Sequence, residues 1–277
     1  MRELRLPTGT SMPLFGMGTW HMGERVKQRK AEVEALRYGM GLGISLIDTA
    51  EMYGEGGAEE VVGEAISGRR DQAFIVSKVY PHNATRTGVV EACERSLRRL
   101  KTDHIDLYLL HWTGSVPLQE TFAGFNALRD SGKIRDFGVS NFDLGDLEEI
   151  AAADTEKLGT NQILYNLAHR EAEWAVLPWC RQRGVPVMAY CPLDPHGTLL
   201  QSAVLADIAR RRTASAAQVA LAWLLHQDGV VVIPKSSRPE RIRENFEALE
   251  VRLEAQDLHD LDRVFPAPDR PVRLGTR

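Results

Sequence analysis

Short apolar runs alternate along the chain with stretches whose apolar residues recur at helical spacing. Leu46-Ile47 stops at Asp48, Ala73-Phe74-Ile75-Val76-Ser77 at Lys78, the run over 105–110 at His111, and Phe137-Gly138-Val139 at Ser140-Asn141. Runs of this length bounded by polar residues read as buried strands. Between them, Val33, Leu36 and Met40, then Val61, Val62, Ala65 and Ile66, then Val89, Cys93, Leu97 and Leu100, and then Leu118, Phe122, Phe125 and Leu128 each form one face of a helix. The alternation predicts further strands over 134–140, 160–165, 185–190 and 230–234. It places helices around Leu147 and Ile150, over 177–180 and over 219–225. Two closing helices carry Ile242, Phe246 and Leu249, then Leu258, Leu261 and Val264.

Residues 2–6 alternate polar and apolar, Pro7-Thr8-Gly9-Thr10 supplies turn chemistry, and the apolar pattern resumes over 12–15, so a β-hairpin opens the chain. A short strand over 15–18 follows, and with it the strand–helix units number eight. This predicts an α/β fold, a (β/α)8 TIM barrel formed as a single domain over 1–277, with the hairpin closing the bottom. An open doubly wound sheet is the rival. Its Gly-rich turn would have to be Gly16-Met17-Gly18-Thr19-Trp20-His21, which lacks the third glycine and has Trp20 where a phosphate turn needs a small residue.

The composition is that of a globular protein: 277 residues, 43% hydrophobic and 26% charged. A net charge of -4 gives no general attraction to nucleic acid or anionic lipid. Arg210-Arg211-Arg212 reads as a solvated helix end. Cys93, Cys180 and Cys191 are odd in number and widely spaced, which suggests neither a disulfide framework nor a zinc site. With no apolar leader and no run of membrane-spanning length, a soluble cytoplasmic monomer is expected, with no metal, no nucleic-acid partner and no membrane partner.

In a parallel barrel the strand ends of one rim carry the site, so Asp48, Tyr53, Lys78 and His111 are expected to converge. A tyrosine hydroxyl titrates near 10 and is a useful acid only if its phenolate is stabilised. The Lys78 ammonium would favour that anion and lower the tyrosine pKa, while Asp48 holds the lysine charged. His111 would donate a hydrogen bond to a carbonyl oxygen. Such a group can protonate an oxygen that becomes an alcohol. Singly, Asp48 reads equally as a helix cap, Tyr53 as a rim aromatic, Lys78 as a solvated strand end and His111 as a core histidine. Their joint placement on consecutive strand ends favours chemistry.

The strings GTW, LIDTAEMYG, VSKVYP, LYLLHW, GVSNF, NQ, YCPL and IPKS…ERIRENF, in this order and across nearly the whole chain, resemble the aldo-keto reductase superfamily, its compact bacterial aldehyde and methylglyoxal reductases above all. The resemblance implies that Asp48, Tyr53, Lys78 and His111 are a catalytic tetrad with Tyr53 as general acid. Independently, a helix N-terminus bearing Lys235, Arg238 and Arg241 is an anion site, and Ser237 with Glu240 makes a capping box for it. The resemblance assigns the cofactor adenosine 2′-phosphate to Lys235, Ser236 and Arg241 and its adenine to Asn245, which favours NADPH/NADP+. Arg238 stands where the family often has a smaller residue. The carboxamide end is implied to meet Ser140, Asn141 and Gln162, with Tyr190 stacked on the nicotinamide ring.

The implied cofactor contacts extend to Gly18, Thr19, Trp20 and Asp48, and to Pro192 and Leu193 beyond the Tyr190 shelf. At the phosphate end they add Ile233, Pro234, Ser237 and Glu244. Cys191 replaces a serine common in the family, and its thiol is a weaker donor to a pyrophosphate. Substrate would meet Tyr53 and His111, with Trp20 and Trp112 as walls and Tyr80 or His82 nearby. The short segment after His111 and the brief tail after Phe265 predict an open mouth suited to small aldehydes, dicarbonyls and aromatic aldehydes. Two other functions fit a barrel: a cofactor-occupied sensor with negligible turnover, and a phosphate-binding enzyme using Lys78 as a Schiff-base amine.

Overall fold

The computed structural model describes residues 2–152, 157–194 and 198–276. Met1 and Arg277, the ends of the expected domain, lie outside the described residues. The chain opens with an antiparallel hairpin of β1 (Glu3–Arg5) and β2 (Ser11–Pro13), in which Leu4 faces Met12. Eight parallel strands follow: β3 (Gly16–Gly18), β4 (Leu46–Asp48), β5 (Phe74–Val79), β6 (Ile105–Leu110), β7 (Ile134–Ser140), β8 (Asn161–Leu164), β9 (Val187–Tyr190) and β10 (Val230–Val232). Sequential neighbours pair throughout. Parallel bridges from Phe15 to Val232 and from Gly18 to Lys235 join the last strand to the first, so the sheet closes.

The helices alternate with the strands on the outside: α1 (Val26–Gly41), α2 (Gly57–Ala65), α3 (Arg86–Leu100), α4 (Leu118–Asp130), α5 (Leu144–Ala152) and α6 (Val176–Gln182). After β9 come α7 (Ala203–Arg212) and α8 (Ala216–His226), and after β10 come α9 (Pro239–Phe246) and α10 (Ala255–Val264). The (β/α)8 barrel expected from the alternation is thus present. The strand over 15–18 begins one residue later than its pattern, and β10 is two residues shorter than 230–234.

Two apolar layers separate cleanly by strand parity. Leu46, Phe74, Val76, Leu107, Leu109, Met188, Val231 and Ile233 fill the barrel interior, while Ile47, Ile75, Tyr108 and Val139 join the layer beneath the helices. Alternation of side chains along a strand accounts for this division. Leu6 and Met12 of the hairpin belong to the interior cluster, so the hairpin closes the bottom as expected. Each such buried side chain contributes about 1.5–3 kcal/mol.

The same parity sets the chemistry at the other end. Asp48 lies two residues beyond Leu46, Lys78 two beyond Val76, and His111 two beyond Leu109, so all three side chains continue the inward face where apolar filling gives way to the mouth.

Two helix-end expectations are corrected. Arg211 and Arg212 are not merely solvated: Arg212 Nε meets Asp257 Oδ2 at 2.5 Å and Arg211 Nη2 meets Asp257 Oδ1 at 2.9 Å, tying α7 to α10. The capping box of Ser237 and Glu240 does not form. Pro239 takes the first helical position, Arg238 becomes the N-cap, and the hydroxyl of Ser236 accepts the Arg238 N–H at 3.1 Å. Proline's fixed φ favours that start.

Candidate active site

Lys78 organises the mouth. Its Nζ donates to both carboxylate oxygens of Asp48 (2.8 and 2.9 Å), to the Thr49 carbonyl (2.8 Å) and to the Tyr53 hydroxyl (3.2 Å). Asp48 also accepts from Gln162 Nε2 at 2.7 Å, a contact across the barrel from β8 to β4. Tyr53 opens the short turn Tyr53–Gly56, in which Gly54 and Glu55 take left-handed backbone, and its N–H donates to the Ala50 carbonyl. The ring of His111 stands edge-on to Tyr53 at 5.8 Å. The four residues expected to converge therefore do so.

Their electrostatics differ from expectation at one point. Burial, then the Asp48 carboxylate, push the Tyr53 pKa well above that of a free tyrosine. The net depression expected from Lys78 is not seen, because burial and the Asp48 carboxylate outweigh the ammonium, which Asp48 faces with both oxygens. Burial pulls Lys78 below its ordinary value, and Asp48 opposes that shift. The tyrosine is accordingly a phenol at neutral pH, with a hydrogen-bond donor aimed at its oxygen.

Burial and the nearby Lys78 charge push the His111 pKa down to about 2, so the ring is neutral and carries one N–H. This has a measurable consequence. In the unfolded chain a histidine takes up a proton below about 6.5, whereas the folded His111 does not until about 2. The unfolded state therefore binds more protons within that window, and stability is complete above it and falls as pH drops through it. Urea unfolding of the protein and of His111→Gln between pH 7 and pH 4 should show the wild type losing more, by at most about 1.4 kcal/mol per pH unit. Parallel pH dependences would contradict the assignment.

Asp48, Tyr53 and His111 line a cavity of about 160 Å³ at the C-terminal rim, with Lys78 buried behind them. Ser140, Asn141, Gln162 and Tyr190 form one side of it. Ser140 Oγ donates to the Gln162 carbonyl (2.9 Å), Asn141 Nδ2 to the His111 carbonyl (3.0 Å), and the Tyr190 hydroxyl to Asn141 Oδ1 (2.8 Å). With its N–H directed at Asp48, Gln162 keeps its carbonyl oxygen as the group able to accept from a carboxamide. Asn141 (φ 61°) and Cys191 (φ 49°) occupy the left-handed region directly after β7 and β9, turning the chain sharply at the rim. Asn166 Nδ2 donates to the Cys191 carbonyl at 2.8 Å and holds the second of these turns.

Past Ile233 and Lys235 on the cavity wall, the chain leads into α9. Gly18 N–H donates to the Pro234 carbonyl, and a Cβ at Gly18 would stand 2.9 Å from the Ile233 carbonyl oxygen, so the close approach of β3 to the end of β10 needs glycine. Lys235 borders the cavity, while Arg238 and Arg241 lie exposed at the N-terminal turn of α9. Lys235 and Arg241 have no ion-pair partner among the described residues. Two such cations beside a helix start suit a phosphate. Asn245 is buried in the same helix, and the Glu244 carbonyl accepts from Gln218. Pro192, Ile233 and Trp20 border the cavity; Thr19 is buried with its hydroxyl on the Asp48 carbonyl, Leu193 packs on the core, and Pro234 and Ser237 lie on the segment between β10 and α9.

Trp112 lies 4.8 Å from His111, just beyond the residues that line this cavity. Tyr80 lies 5.8 Å from Trp112 and 4.7 Å from His82. Met52 and Cys191 border the cavity, neither expected as a substrate wall. Met52 was within reach of sequence reasoning, since it falls between Asp48 and Tyr53.

An acid-clamped lysine beside a protonated tyrosine, on the C-terminal rim of a closed parallel barrel, defines a (β/α)8 enzyme scaffold organised for proton transfer. Residues 15–265 match the model of the aldo/keto reductase family. The chain belongs to that family. It is 51% identical over 269 residues to the methylglyoxal reductase YeaE of Escherichia coli (strain K12), covering 95% of each chain. It is 36% identical to a glyoxal reductase of Bacillus subtilis (strain 168) over 96% of each. An aldo-keto reductase from Klebsiella pneumoniae, solved in complex with NADPH, superposes with a TM-score of 0.96 at 47% identity, covering 100% of this chain and 99% of that one. No described helix is long and apolar enough to cross a membrane.

Proposed function

We propose that this protein reduces small aldehydes and dicarbonyls, methylglyoxal among them, to alcohols with NADPH, and that Tyr53 donates the proton. The observation that carries this reading is the Tyr53 hydroxyl 3.2 Å from an Asp48-bound Lys78 ammonium, beside a neutral His111. NADPH, when bound, supplies hydride to the carbonyl carbon. Lys235, Ser236 and Arg241 would hold its 2′-phosphate, with Ser140, Asn141 and Gln162 at the carboxamide and Tyr190 as the shelf. His111 orients the carbonyl oxygen with its N–H, Tyr53 protonates that oxygen, and Lys78 stabilises the phenolate left behind. The raised tyrosine pKa keeps the hydroxyl protonated at neutral pH, the form that can give a proton to the carbonyl oxygen.

This reading takes residues 1–277 as one barrel domain working as a cytoplasmic monomer. A Schiff-base role for Lys78 is disfavoured by its carboxylate and carbonyl acceptors, which suit an ammonium. The test is a fluorescence titration with NADPH and NADH on the protein and on Arg241→Ala, followed by loss of NADPH absorbance with methylglyoxal. A hydrogen bond to a charged group contributes about 1.5–3 kcal/mol, so Arg241→Ala should weaken NADPH by about tenfold or more and leave NADH nearly unaltered. Equal losses would remove Arg241 from the 2′-phosphate. Tight binding without consumption of any carbonyl would favour the sensor.

A further inference from the structure

We propose that Glu51 is a positioning residue that holds the outer substrate wall and so sets how bulky a carbonyl compound the rim accepts. Glu51 follows Asp48 by three residues and is 8% exposed. Its Oε1 accepts from the Tyr80 N–H at 2.8 Å and from Asn83 Nδ2 at 3.0 Å, and its Oε2 lies 3.7 Å from Arg95 Nη2. The Glu51 N–H in turn donates to the Lys78 carbonyl at 3.3 Å. One residue thus joins the end of β5 to both ends of the turn that follows it.

That turn carries the wall. Tyr80 meets Trp112 edge-on at an interplanar angle of 89°, and Trp112 lies against His111. The loops beneath them touch, since a Cβ on Gly114 would stand 2.6 Å from Pro81 Cβ. Trp112 is 37% exposed, so these ring contacts matter to its position. Removing the Glu51 carboxylate frees the Tyr80 N–H and the Asn83 amide together, and Trp112 loses its backing. Lys78 and His111 keep their places through their own strands. A substrate small enough to stay within the inner cavity does not meet this wall, whereas a larger one does.

This inference rests on the carbonyl-reductase reading, and methylglyoxal and phenylglyoxal, which differ only in methyl against phenyl, test it. In Glu51→Ala the ratio of kcat/KM for phenylglyoxal to that for methylglyoxal should shift at least fivefold, through KM for phenylglyoxal with kcat little altered. Glu51→Gln keeps an acceptor for Tyr80 and should restore the ratio to within twofold. Should Glu51→Ala fail to fold, Asn83→Asp, which sets one carboxylate against another at equal size, should shift the ratio likewise. An unchanged ratio in the folded variant, or a common loss of kcat for both substrates, would overturn the role of Glu51 while leaving the reductase reading intact. A wild-type protein that consumes NADPH with neither compound would remove both.

Discussion

Tyr53→Phe is expected to lower turnover by about a thousandfold or more while NADPH affinity changes less than about threefold; general acid catalysis contributes roughly 10²–10⁴ in rate. The ring stays, so the packing against His111 stays with it. Lys78 loses one acceptor of its four and keeps the Asp48 carboxylate and the Thr49 carbonyl. The fold therefore has little reason to weaken, and the loss should fall on kcat, as for a group that acts on the reacting oxygen in the transition state. The raised pKa adds a second signature: with the phenol protonated across ordinary pH, the wild type should show no fall of kcat from tyrosine ionisation below about pH 9. Single-turnover kinetics separates the chemical step from product release. Near-normal turnover in Tyr53→Phe would remove the tyrosine from the proton donor's place.

Much of this site was legible because barrel strands obey a period of two. Once Leu46, Val76 and Leu109 are read as inward, Asp48, Lys78 and His111 must follow them to the same rim, and no long-range information is needed. Tyr53 was legible differently, from its distance beyond a strand end. The cations beside the start of α9 were legible from the sequence, yet the helix start itself was misplaced: Ser237 with Glu240 matches a capping box, but Pro239 at the first helical position outweighs it.

What the pattern did not reveal depends on contacts between distant segments. Gln162 meets Asp48 across 114 residues of chain, and Arg211 and Arg212 find Asp257 only because α7 and α10 pack side by side. The Tyr53 pKa was misjudged for the same reason. Sequence names the neighbours of a tyrosine, but whether the lysine charge outweighs burial depends on how deeply the ring is buried and how many oxygens of the acid the lysine already faces.

Lys78→Met should separate two things that Lys78 does. The side chain is fully buried and its ammonium faces a carboxylate of equal burial, so methionine fills the volume but strands Asp48 without its cation. Breaking a buried pair from one side costs about 3–5 kcal/mol. For a chain of this size each kcal/mol corresponds to roughly 2–4 °C, so thermal unfolding should begin about 10 °C lower. Turnover should fall by at least a hundredfold as well, because the phenolate formed when Tyr53 gives up its proton loses the donor 3.2 Å away.

Asp48→Asn in the same chain should distinguish these effects. An amide of the same shape needs no cation and can still accept from Gln162, so Asp48→Asn/Lys78→Met should recover most of the lost stability, as replacements of whole buried pairs commonly do. It should recover none of the turnover, since no ammonium remains beside Tyr53. Calorimetry and NADPH consumption on the two single variants and the double variant complete the cycle. A double variant as unstable as Lys78→Met would mean that the stranded carboxylate is not what destabilises it, and a double variant that regained turnover would mean that Tyr53 works without a lysine beside it.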